Sequence, residues 1–267
     1  MKIAMCLSGQ PRTWRKCYQS WFKNICPGYE VDIFFHMWDF NTLSMAALSK
    51  NFQPDTELTV EEKQEIIDTL KPKKFKFDNR KIIYTHDSKH LLTNEFVKDP
   101  VGWWCRSQYY SLWYAARLKR MYELENNFQY DMVIRNRPDA YWPVEFNLAH
   151  KIQPNTIYSY DNDWIEKWQT FIISDLFFYA DSFTYDQISE FYYGLNYIDA
   201  SHIKHGAKKL PHLPPPECAL YTFIKSKGIT NTYIGRWYNG EKALNIKTMR
   251  DEQYVQILGG IGSHEAL

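Results

Sequence analysis

Residues 130–142 read YDMVIRNRPDAYW. Met132, Val133 and Ile134 form a short continuous apolar run, the pattern of a strand buried on both faces. Charge follows at once, with Arg135, Arg137 and Asp139, and Pro138 is expected to stop the strand. Alternation along an extended chain puts residues 135, 137 and 139 on one side. Two cations and one carboxylate are therefore predicted together at a strand's carboxyl end, where open α/β sheets bind ligands. A carboxylate there suits a hard divalent metal, and arginines fork onto phosphate or carboxylate oxygens. The expected ligand is a metal–diphosphate. A structural Asp–Arg cluster is the competing reading; the strand-end position and the flanking Tyr141 and Trp142 favour the ligand.

Strands and helices alternate on either side of this segment. Lys2–Leu7 reads as a strand, Thr13–Ile25 as a helix with Trp14, Cys17, Tyr18, Trp21, Phe22 and Ile25 at helical spacing, and Val31–His36 as a second strand. This βαβ unit predicts a parallel sheet. Asn41–Phe52 is ambiguous. Thr59–Leu70 is a predicted helix, with Thr59 as N-cap and Glu62 at the capping-box position. Lys71–Asn79 reads as a charged connection, KIIY at 81–84 as a strand, and 87–99 as a polar stretch. Gly102–Glu125 is the longest helical pattern. Further strands are expected at 131–135, 156–160 and within 172–179. Helices are expected at Ser182–Leu195, with Ser182 as N-cap, and at Glu217–Lys227, with Pro216 before it and Gly228 as its stop. His202–Pro216, basic and then proline-rich, reads as a mobile lid. No linker or repeat is visible, so the expectation is one domain over 1–267. Its nucleotide-binding half would be 1–140 and its acceptor-side half 141–267.

Composition narrows the function classes. The 267 residues carry 32 Lys and Arg against 31 Asp and Glu, a net charge of +1, which argues against a general nucleic-acid binder. Aromatics reach 17%; most belong to a core, though such rings also suit sugar stacking. The five cysteines, Cys6, Cys17, Cys26, Cys105 and Cys218, contain no CxxC pair. That argues against zinc and a disulfide scaffold, and for reduced thiols in an intracellular compartment. MKIAMCLSG at the start is too short for a signal-peptide core, and no run long enough for a membrane span is present.

Several other residues carry candidate chemistry. SGQPR after the first strand offers Ser8 and Gly9 for close backbone approach and Arg12 for a phosphate or a base. HMWD ends the second strand on the same sheet edge: Asp39 could bond a ribose hydroxyl, Trp38 could stack, and His36 reads as a packed histidine. Arg106 at the start of the long helix could approach a phosphate. Asp161 and Asp163 form a DxD pattern, with an acidic turn as the equal alternative. Asp175 is expected inside an apolar strand, where it must be paired or functional. Asp181 belongs to the turn before a helix. Glu217 opens a helix and is a candidate general base, with favourable dipole placement as its plainer explanation. His202, His205 and His212 read as exposed loop residues.

In this order the segments resemble the small GT-A-type glycosyltransferases of viruses and bacteria. The resemblance rests on LSGQPRTW (7–14), VDIFFHMWD (31–39), SQYYSLWYAARLKRMYE (107–123), YDMVIRNRPD (130–139), ISDLFFYAD (173–181) and PPECALYTFIKSKGI (215–229). It implies a GT-A-like, Rossmann-like α/β fold with a mostly parallel sheet flanked by helices. It implies transfer of a sugar from a nucleoside-diphosphate sugar, UDP-linked in this reading, to a carbohydrate or glycoconjugate acceptor. Ser8, Gly9, Arg12, Asp39, Arg135 and Arg137 would hold the donor. Asp139 would hold Mn2+ or Mg2+, and Glu217 or Asp175 would act as base. Where the family's DxD motif stands, this chain has Arg137-Pro138-Asp139, so only the last carboxylate matches. The resemblance also implies a cytoplasmic location, the host's cytoplasm for a viral protein. Two alternatives stay open: a non-catalytic nucleotide-sugar or carbohydrate-binding protein, and a sugar nucleotidyltransferase.

Overall fold

The computed structural model describes residues 1–41, 56–79, 100–143, 145–146, 151–161, 173–195, 216–236 and 247–248, and only the backbone at 100–105, 160–161, 216–218, 235–236 and 247–248. Its strands are β1 (Ile3–Gly9), β2 (Val31–Trp38), β3 (Phe40–Asn41), β4 (Thr56–Glu57), β5 (Lys74–Asp78), β6 (Met132–Asn136), β7 (Ala140–Tyr141), β8 (Thr156–Asp161), β9 (Phe177–Ala180), β10 (Thr230–Arg236) and β11 (Lys247–Thr248). The helices are α1 (Trp14–Asn24), α2 (Val60–Leu70), α3 (Pro100–Asn126), α4 (Ser182–Ser189), α5 (Phe191–Gly194) and α6 (Pro216–Ser226).

Seven strands form one sheet in the order β10-β8-β9-β6-β1-β2-β5. The ladders β1–β2, β1–β6, β2–β5 and β8–β10 are parallel. β9 alone is reversed, antiparallel to both β6 and β8. The expected α/β class and mostly parallel sheet are therefore present. Among the described residues no helix is long and apolar enough to cross a membrane.

Alternation along the central strands builds two cores. Ile3, Met5 and Leu7 of β1 join Ile33, Phe35, Met132 and Ile134 against Trp14, Cys17 and Trp21 of α1 and Ile66 and Leu70 of α2. Ala4 and Cys6 turn the other way, with Phe34, Val133 and Phe178, against Tyr109, Leu112, Ala115 and Ala116 of α3 and Tyr185 of α4. The small Ala115 and Ala116 let α3 lie close across β1 and β2. Each buried Phe on these faces contributes roughly 1.5–3 kcal/mol.

Local chemistry fixes the element ends. Thr59 accepts from the backbone N–H of Glu62, and the Glu62 side chain accepts from the N–H of Thr59, closing the expected capping box. Gly228 takes φ +69° after α6, the left-handed stop its position predicts.

Three expectations are corrected. Lys71–Asn79 is not a connection: KFKFD at 74–78 is the edge strand β5, with Phe75 and Phe77 packed on Phe35 at ring separations of 5.4 and 5.2 Å. Its lysines masked the alternation and guard an exposed sheet edge. Ser182 is not an N-cap. Asp181 caps α4, accepting from the N–H of Thr184 at 2.9 Å, while Ser182 lies buried and donates to Glu123. The helix expected over 182–195 is broken at Glu190, where the Ser189 hydroxyl donates to the Asp186 carbonyl and competes with the backbone ladder. The sequence reading assigned no strand to 230–236, which forms the edge strand β10. The strand expected at 81–84 lies outside the described residues, as does the lid expected at 202–216 except for Pro216, which begins α6.

Candidate anion-binding site

β1 and β6 are parallel neighbours, with Cys6 opposite Arg135 and Leu7 opposite Asn136, so their carboxyl ends open onto one sheet edge. β1 ends at Ser8 and Gly9. Gly9 has φ +130°, a conformation that costs other residues far more. Arg12 follows with φ +41°, left-handed for a residue with a Cβ. Its surroundings over-determine that strained backbone. Its N–H donates to Asn41 Oδ1 at 2.7 Å, its Nε to Gln10 Oε1 at 2.9 Å and its Nη1 to Asp139 Oδ2 at 2.9 Å.

The expected alternation of 135, 137 and 139 is not how these residues meet. β6 ends at Asn136. The Arg137 N–H donates to the Leu176 carbonyl, and the Ala140 N–H donates back to the Arg137 carbonyl, forming a turn around Pro138. That turn folds Arg137 onto Asp139 as a bidentate pair, Nε to Oδ1 at 2.9 Å and Nη2 to Oδ2 at 2.7 Å. Asp139 is 1% exposed and held by two guanidiniums. Burial lowers the Arg12 pKa against the opposing pull of Asp139. Arg137 is also desolvated, yet Asp139 and Asp175 outweigh burial and raise its pKa.

Asp175 is not inside a strand. It lies in the bend before β9, where its Oδ2 accepts from Gln108 Nε2 at 2.8 Å and from Arg137 Nη1 at 3.2 Å. Its presence in the cluster was expected only as a paired or functional carboxylate, and the pairing is what the structure shows.

Arg135 stands two residues back from Arg137, between Cys6 of β1 and Phe178 of β9. It is 0% exposed under α3. Its Cζ lies 5.8 Å from the Phe178 ring centroid. Burial lowers its pKa, and Asp175 gives the main electrostatic support. Among the described residues, Nε, Nη1 and Nη2 of Arg135 have no hydrogen-bond partner. Among the described residues Arg12, Arg135 and Arg137 thus face two carboxylates, Asp139 and Asp175, a surplus of one positive charge.

The remaining candidates lie elsewhere. The Asp39 carboxylate turns toward α2, with Oδ2 3.6 Å from Lys63 Nζ, rather than toward the arginines. His36 is packed, as expected: Nδ1 is 2.8 Å from Ser111 Oγ and Nε2 is 3.2 Å from Asp78 Oδ2. Ser111, His36 and Asp78 have the composition of a hydrolytic triad. All three are buried, and the Ser111 hydroxyl also lies within bonding distance of the His36 carbonyl, so the arrangement is structural. Arg106 is not at a helix N-terminus, because α3 begins at Pro100. Cys6, Cys17 and Cys26 are buried free thiols, and burial pushes each up to about 12. Glu217 falls in the first turn of α6. Its side chain, those of Asp161, Cys105 and Cys218, and residues Asp163, His202, His205 and His212 lie outside what is described.

Gln10, Asn41 and Gln108 complete the cluster and escaped the sequence reading as partners. Gln10 was visible in SGQPR, but nothing local marks Asn41 or Gln108 as its neighbours. Among the described residues, no three His, Cys, Asp or Glu side chains gather to hold a metal ion. Both Asp139 oxygens already accept from guanidiniums, so the donor set suits an anion better than a divalent cation. Neither a family model nor a curated protein matches the sequence.

Proposed function

We propose that the chain is a glycosyltransferase that takes a sugar from a nucleoside-diphosphate sugar, of the UDP class, and passes it to an acceptor hydroxyl. One observation carries the reading: a positively charged arginine cluster at the adjoining carboxyl ends of β1 and β6 in a mostly parallel sheet. The Ser8–Gly9 turn lets the backbone approach a diphosphate, and Arg12 faces it. Arg137 acts chiefly through Asp139 and Asp175, holding the loop in shape. Negative charge growing on the departing diphosphate is stabilised by guanidiniums already in place. Asp175, clamped by Arg137 and Gln108, is better suited to positioning than to taking a proton. The base is assigned to Glu217. The described residues do not fit a divalent ion at Asp139, whose two oxygens are taken by guanidiniums.

A non-catalytic nucleotide-sugar binder is the second reading. It is favoured by the saturation of Asp139. Thermal unfolding in UDP, GDP, CMP and ADP, each with and without manganese, tests the donor class. Saturating ligand at about 100 times its dissociation constant adds about 2.7 kcal/mol. A shift with one nucleotide alone supports the donor reading, and its manganese dependence reports on Asp139. Donor hydrolysis or transfer then separates enzyme from binder. No shift with any nucleotide, together with unchanged turnover in Arg12→Ala and Arg137→Ala, sinks the proposal.

A further inference from the structure

Three polar groups on the α3 face of the sheet lack a nitrogen or oxygen partner among the described residues: Ser8 Oγ, the Arg135 guanidinium and the Tyr185 hydroxyl, which has only the Cys6 thiol beside it. All three residues are at most 1% exposed. They share one neighbourhood. Ser8 lies two residues beyond Cys6, the register partner of Arg135, and so on the same face. Tyr185 of α4 interacts electrostatically with both Arg135 and Cys6. Every one of these groups can donate a hydrogen bond. The anion supporting Arg135 is Asp175, whose Oδ2 already accepts from Gln108 and Arg137.

A buried guanidinium without an acceptor is strongly unfavourable. Among the described residues no negatively charged acceptor hydrogen-bonds this set, and Asp175 supports Arg135 only through space. We propose that Arg135, Ser8 and Tyr185 form an inner oxyanion subsite beneath α3 that receives a phosphoryl or carboxylate group of the ligand. The outer Arg12–Asp139–Arg137 network is then its frame, since its guanidiniums are already engaged with carboxylates. Arg135 is sealed in this state, so ligand entry displaces side chains packed over it. The subsite deepens the donor reading, because a donor phosphoryl group is one source of the oxyanion. The chemistry holds equally for a carboxylate on either substrate.

The test is titration of the full chain with inorganic phosphate and, separately, with acetate at constant ionic strength, followed by calorimetry and thermal unfolding. The wild type is expected to be stabilised saturably by one of the two. A phosphate response names a phosphoryl group, and an acetate response names a carboxylate. Arg135→Met is expected to weaken that binding about tenfold or more. Its ligand-free unfolding temperature should stay level or rise, because an apolar side chain replaces a buried charge. Ser8→Ala, which keeps the charge, should weaken binding a few-fold and serves if Arg135→Met does not fold. Unchanged anion affinity in these variants, or no response of the wild type to either anion, overturns the subsite. Where phosphate is the anion that binds, nucleotide binding untouched by Arg135→Met also overturns it but leaves the donor reading standing. An anion response without any nucleotide response does the reverse.

Discussion

Asp139 accepts from two guanidiniums at 2.7–2.9 Å while 1% exposed. Its removal leaves Arg12 and Arg137 without their common acceptor in a largely dry site. Breaking such a pair costs about 3–5 kcal/mol when fully buried. Arg12 and Arg137 keep 20% and 13% of their side-chain exposure, so the lower end applies. Asp139→Ala is expected to lose about 3 kcal/mol in urea unfolding. A loss below about 1 kcal/mol, the size of an exposed pair, would show that solvent screens the cluster. Restoring much of that loss with the further change Arg137→Met would locate the cost in the orphaned charge. The residue scale also shows where sequence reasoning stops. Arg135, Arg137 and Asp139 were legible as a charged strand end, because their spacing is local. Which of them would pair and which would stay buried and unbonded was not. That outcome depends on the Pro138 turn and on Asp175, 36 to 40 residues away in sequence.

Helix ends and helix contacts carry the next predictions. Thr59→Ala removes the hydroxyl that accepts from the Glu62 N–H, leaves the backbone half of the α2 capping box, and should cost about 1 kcal/mol without changing the fold. Circular dichroism and urea unfolding report both, and a neutral result would mean that water caps α2 equally well. At Gly194, a Cβ would meet Phe223 Cε2 at 2.6 Å, closer than carbon atoms pack. Gly194→Ala is therefore expected to destabilise by about 1–3 kcal/mol as α5 and α6 are forced apart, despite alanine's better helix propensity. A stabilised variant would contradict the packing of α5 on α6. Elements with strong local signals were legible, and those whose identity depends on pairing were not. α1, α2 and α3 show helical spacing in sequence, and β1, β2 and β6 are apolar runs. β5 alternates lysine with phenylalanine and becomes a strand only because β2 offers it a parallel edge. The reversal of β9 carries no local mark, since direction is a property of its neighbours β6 and β8.

The whole molecule ties two sheet regions to pH through His36. The ring sits at 0% exposure among Asp78 and Lys76 of β5 and Ser111, Tyr110 and Tyr114 of α3. Burial lowers its pKa below the ordinary 6.5, even though Asp78 pulls the other way. Asp78 is desolvated too, yet His36 and Lys76 hold its carboxyl below the usual value. Below about pH 6.5 the unfolded chain takes up a proton on this histidine more readily than the folded chain does. The unfolded state then binds more protons, so stability falls as pH falls. One such group changes stability by up to about 1.4 kcal/mol per pH unit. Asp186, whose carboxyl is raised by burial beside Lys119 and Glu123, acts in the opposite direction at lower pH. A comparison between variants isolates the histidine from it. Between pH 7.5 and 5.5, the wild type should lose about 1 kcal/mol more than His36→Gln, read from urea midpoints at each pH. The two profiles should run parallel above pH 7.5, where both histidine states are neutral. Parallel profiles through the acid range as well would mean that His36 titrates alike in both states. The β2–α3 junction would then have to admit water, and the sealed α3 face on which the arginine cluster rests would have to be open there.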